Sequence, residues 1–163
     1  MQRLLFLLLS ISLLSACQAD NDAVPQTDSE EAFAELQARG QVAMGVDQYA
    51  SRHLFDALPD GGRIELQQEA GDAEAVETIR KHLREIAVQF KSGDFRLPSF
   101  VHDHEVPGTK VMTEKQSLIT YTYSDLPAGG QVRITTEDEE AIRAIHEFME
   151  FQRQDHRAGG HEH

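Results

Sequence analysis

Leu58-Pro-Asp-Gly-Gly-Arg-Ile-Glu-Leu66 returns as Leu126-Pro-Ala-Gly-Gly-Gln-Val-Arg-Ile134, and a second matched pair follows at nearly the same distance: Asp72-Ala-Glu-Ala-Val-Glu-Thr-Ile79 and Asp138-Glu-Glu-Ala-Ile-Arg-Ala-Ile145. Eight of these 17 positions are identical. A Pro-x-Gly-Gly turn between extended runs reads as a hairpin whose glycines supply positive-φ positions. Ile64 and Leu66 alternate with Arg63, Glu65 and Gln67, so one face of the sheet is buried. Ile119, Tyr121 and Tyr123 alternate in the same way before the second turn, and His53 aligns with Tyr121. Each copy then turns helical. Val76, Ile79, Leu83, Ile86 and Phe90 form one stripe at helical spacing, with Asp72 as N-cap, and Ile142, Ile145, Phe148 and Met149 form the other. The reading is an α+β fold of duplicated ββα units, an antiparallel sheet with two helices on one face.

Working outward, the repeats cover about residues 50–90 and 117–156 of a single domain spanning 29–156. A short helix is expected at Glu30–Arg39, closed by Gly40, and a short strand at Lys110–Thr113 in the connection between the halves. Residues 157–163 form a His-containing tail, and the acidic, Pro-containing stretch 17–28 lacks the apolar content to fold and reads as a tether.

The chain of 163 residues carries 15 Lys+Arg against 28 Asp+Glu, a net charge of -13. That balance argues against a nucleic-acid partner, because phosphate binding needs a basic footprint. A single cysteine excludes an internal disulfide framework and a Cys-rich zinc module. Residues 1–16 place one positive side chain, Arg3, before an apolar run from Leu4 to Leu14, the pattern of an export signal. Leu14-Ser15-Ala16-Cys17 resembles the lipobox of bacterial lipoproteins. That resemblance implies cleavage before Cys17, acylation of its sulfur and new N-terminus, and a stable membrane anchor. Gln18 in the next position implies, on the same resemblance, the outer membrane facing the periplasm.

No Gly-x-Ser-x-Gly elbow, phosphate-cradling loop or Gly-x-Gly-x-x-Gly is present, so the sequence points away from an enzyme. Histidine is the unusual feature, at eight residues. Neutral imidazole is a common ligand for copper and zinc. His102-Asp103-His104-Glu105 is the clearest cluster and precedes a Val106-Pro-Gly108 turn. His146 and His82 flank the two helical stripes. His102, His104, His146 and His82 are the expected ligands of a transition metal, copper or zinc, with His53, His156, Met112 and Met149 as further donors. The rival reading is an envelope binding or scaffold module without metal, its protein partner unspecified.

The stretches Met44-Gly-Val-Asp-Gln-Tyr49, Val106-Pro-Gly-Thr109, Ala144-Ile-His-Glu-Phe148 and Phe151-Gln-Arg-Gln-Asp-His156 resemble small exported bacterial proteins of unsettled function, over roughly residues 43–163. Some of these carry the label aspartate carbamoyltransferase. The Ser-Thr-Arg-Thr phosphate loop of that enzyme is absent from this sequence, so the resemblance transfers no catalytic residue.

Overall fold

The computed structural model describes residues 26–68 and 72–159. The elements run α1 (Gln26–Met44), β1 (Ser51–Leu58), β2 (Gly61–Gln68), α2 (Ala73–Lys91), α3 (Arg96–His102), α4 (Thr109–Glu114), β3 (Thr120–Leu126), β4 (Gly129–Thr135) and α5 (Glu139–Asp155). The four strands form one antiparallel sheet in the order β1-β2-β4-β3. The fold is α+β.

Both long helices begin where a short polar side chain can satisfy their free N–H groups. Asp72 accepts from the N–H groups of Glu74 and Ala75, and Asp138 accepts from that of Ala141. Their apolar stripes bury Ile79, Leu83, Ile86 and Phe90 on α2, and Ile145, Phe148 and Met149 on α5. These meet Phe55, Ile64, Leu66, Val132 and Ile134 from the sheet. The opposite sheet face is polar, with Arg63 Nη2 donating to Asp56 Oδ2 at 2.6 Å across the β1–β2 pair.

Each helix packs on the other half's hairpin: α5 lies on β1 and β2, and α2 lies on β3 and β4. A matching polar tie holds each in place. His146 on α5 bonds the Leu58 carbonyl at 2.8 Å through Nε2, the nitrogen that must donate, since a carbonyl only accepts. Arg80 on α2 donates to the Leu126 and Gly129 carbonyls at 2.9 and 3.0 Å. Leu58 and Leu126 are equivalent residues of the two hairpins, and His146 and Arg80 are equivalent residues of the two helices. His146→Ala should therefore lower stability by about 1 kcal/mol, and Arg80→Ala by a similar or larger amount. Urea denaturation of the two variants reads this out; a silent His146→Ala would mean that the ring does not fasten the helix.

Three local expectations are corrected. The glycines of Pro-x-Gly-Gly are not the turn. Leu58 pairs with Gly61 and Leu126 with Gly129, so Pro59-Asp60 and Pro127-Ala128 make the bends and the glycines begin the strands. Only Gly61 of the four has a left-handed φ, at 140°. What the glycines provide is room. A Cβ on Gly61 would lie 2.2 Å from the Ile134 carbonyl oxygen, and one on Gly129 2.0 Å from that of Leu66. The strand expected at Lys110–Thr113 is helix α4, which starts from Gly108 at φ 81° and buries Met112. Four residues with only two apolar side chains, Val111 and Met112, are too few to distinguish the two by periodicity. Finally, α1 does not stop at Gly40: it runs from Gln26 to Met44, and the left-handed glycine beyond its end is Gly45 at φ 76°.

Candidate functional site

Four of the histidines come together. His53 lies on β1, His82 on α2, His102 at the end of α3, and His156 caps the C-terminus of α5. All four line one cavity of about 80 Å³. Its walls are Phe55, Ile64, Leu66, Leu83, Ile86, Phe90 and Phe148. Its roof is Gly40, Ala43 and Met44 of α1 with Leu97, Pro98 and Val101 of α3. Gln152 completes the lining, which contains no Asp, Glu, Lys or Arg.

The imidazoles stack on one another. The His53 and His156 rings are 5.5 Å apart at 11°, and His156 also stacks on Phe55 at 5.7 Å. The His102 ring stands edge-on to His156 at 5.0 Å. Burial, which penalises the charged form, lowers His53 and His82 to about 4 and His156 to about 3. For His53 the nearby His82 adds to the effect, and for His156 the nearby His53 and His102 do. These three rings are therefore neutral at pH 7, each offering one donor and one acceptor nitrogen.

His102 differs from the others. Its side chain is 1% exposed, and both nitrogens are engaged: Nδ1 with the Asp155 carboxylate and Nε2 with Gln152 Oε1 at 3.1 Å. It pins the end of α3 to the last turn of α5. Gln152, Asp155 and His156 share one face of that turn, at helical spacings of three and four. Those spacings were visible in the sequence. Neither Gln152 nor Asp155 belongs to a cluster of histidines, so the local sequence does not mark them as partners of a ring.

The sequence-derived ligands thus separate into groups. His82 and His102 face the cavity together with His53 and His156. His104 is exposed, with its ring edge-on to Phe151 at 5.4 Å, 6.2 Å from the His102 ring. His146 is tied to Leu58, and Met112 and Met149 are fully buried in the core. Cys17, the signal, and most of the tether and tail, including His161 and His163, lie outside the described residues. Among the described residues no group of three or more His, Cys, Asp or Glu side chains is placed to hold a metal ion. No helix among them is long and apolar enough to cross a membrane.

No family model matches the chain, and neither a curated protein nor a solved structure resembles it significantly. The geometry of the cavity is therefore the basis for a functional reading. Its imidazoles can form hydrogen bonds or donate lone pairs, and the Asp155 carboxylate beside them is committed to His102.

Proposed function

We propose that this protein is a lipid-anchored component of the cell envelope that binds a small ligand in its histidine-lined cavity without converting it. The observation that carries the reading is an apolar cavity with four imidazoles and one amide in its wall and no Asp, Glu, Lys or Arg. Small-molecule sites combine such apolar walls with a few polar groups that set orientation. Anchoring through Cys17 and residence at the outer membrane, facing the periplasm, complete the proposal on the strength of the lipobox resemblance.

The second reading places a transition metal, copper or zinc, on the same rings. It is favoured by His53 Nε2, which is buried without a hydrogen-bond partner, and by the neutral state of His53, His82 and His156. As they stand, the rings would have to converge further to bind an ion.

Two titrations of the chain from Cys17 onward separate these readings. Benzene should shift the methyl resonances of Leu83 and Ile86, and Gly40→Leu, which adds bulk to the roof, should abolish the shift. Absence of any shift with benzene would remove the cavity from consideration as a ligand site. Titration with Cu(I), Cu(II) and Zn(II) tests the metal reading, which ends if no ion binds more tightly than to a short histidine peptide. Cys17→Ser should release the protein from the membrane fraction; a variant still retained there would contradict the lipid anchor.

A further inference from the structure

The polar atoms of the cavity wall constrain what fits there. His53 is the informative one. Its Nε2 is buried and has no partner, while the ring also bonds the Ser51 backbone. Since Nε2 is the free atom, the bond to Ser51 is made by Nδ1. It favours the protonated form of the ring, so the Ser51 partner is the carbonyl and Nδ1 carries the hydrogen. Nε2 of the neutral ring is then a bare lone pair, buried and without a donor to meet it. Leaving such an acceptor unsatisfied is costly, and a ligand that brings a donor removes the cost.

The rest of the lining narrows the choice. An ionised ligand would lose its hydration and meet no Asp, Glu, Lys or Arg in the wall, where His102 is already engaged by Asp155 and Gln152. The roof can yield to a ring-sized guest. Its α1 side is Gly40, Ala43 and the unbranched Met44, and Met side chains adapt readily to irregular shapes. That matters because about 80 Å³ is less than the roughly 150 Å³ of a cavity known to admit benzene.

We propose that the ligand is an uncharged, largely apolar molecule bearing one O–H or N–H donor, of the phenol class, and that His53 Nε2 accepts its hydrogen bond. This rests on the cavity being a ligand site. Phenol and toluene are matched probes of the idea. A purely apolar cavity prefers toluene, because phenol must give up the hydration of its hydroxyl. The chain from Cys17 onward, titrated with each by calorimetry and by ligand-observed NMR, should bind phenol more tightly than toluene by about tenfold. His53→Phe keeps the ring's bulk and removes the acceptor, and it should reverse the order. Benzoate and benzylammonium should not bind. Toluene bound more tightly than phenol in the unaltered protein would sink the inference and leave the cavity a ligand site. Binding of neither probe, nor of benzene, would sink both. Tight binding of Cu(I) or Zn(II) with no binding of phenol would assign the lone pair to a metal and overturn the inference. The phenol-to-toluene ratio is measured on the unaltered chain, so the result stands even if His53→Phe fails to fold.

Discussion

Gly129→Ala is expected to leave the domain unfolded, or destabilised by more than about 4 kcal/mol, the size reached only when a substitution forces the backbone apart or wrecks the core. The added Cβ would sit 2.0 Å from the Leu66 carbonyl oxygen. That oxygen belongs to β2, the neighbour of β4 in the middle of the sheet. No side-chain rotation relieves the clash, so one central strand has to leave the other. Gly62→Ala provides the graded control. Its Cβ would approach the Met149 methyl at 2.8 Å and Ile145 Cγ2 at 2.9 Å, and side chains can move further than a paired backbone. Urea titration should rank Gly129→Ala as much the more damaging of the two. A Gly129→Ala protein within 1 kcal/mol of the original on that scale would show that the two central strands do not approach so closely.

The second large effect is a loss of stability in mild acid. Three imidazoles have folded-state pKa values below their ordinary 6.5: His53 and His82 at about 4, and His156 at about 3. Depressed bases bind fewer protons in the folded chain than in the unfolded one. Their neutral form is retained at no cost above pH 6.5. As pH falls from 6.5 towards 4 the unfolded chain takes up protons that the folded one refuses, and stability declines. For His53 and His82 the loss is on the order of 3 kcal/mol each by pH 4. Urea midpoints at neutral pH and at successive steps down to pH 4 should fall steadily, and His82→Leu should flatten the profile. A midpoint that stays level from pH 7 to pH 5 would mean that these rings are not shielded from water as described. Asp60, Asp94 and Asp138, held below the usual carboxylate range chiefly by Arg133, Arg96 and the Ala141 N–H, respectively, lose their contribution only at lower pH.

The α+β class was legible because each half repeats a period of two followed by a period near 3.6, with an aspartate where the period changes. Asp72 is the cap that the sequence indicates, and Asp138, its counterpart in the second half, caps α5 in the same way. The role of the glycine pairs is not legible locally, since composition at a bend looks the same whether a glycine is needed for its φ or for the absence of a side chain. Contact with a neighbouring strand is a property of the sheet and leaves no local mark. The same limit governs the histidines. His146 lies beside an apolar stripe as a ligand would, and only the three-dimensional packing of α5 on the first hairpin brings it to Leu58. His53 and His156, more than 100 residues apart in sequence, become neighbours because Phe55 and the last turn of α5 share one edge of the core.

The crosswise seating of the helices bears on how the chain acquires its structure. The tie from Arg80 to Leu126 spans 46 residues, and that from His146 to Leu58 spans 88. Each hairpin is covered mainly by the helix of the other half, so a nascent chain that has produced only the first ββα segment has a largely uncovered sheet and a helix whose main seat, β3 and β4, is not yet made. Non-local closure of this kind slows folding, because the entropy of long loops is lost before the contacts that reward it are made. The residues that close the cavity from this side, Gln152 and His156, belong to α5 and its C-cap, which follow all four strands in the chain. The pocket therefore cannot take shape until α5 has been made and has seated on the first hairpin.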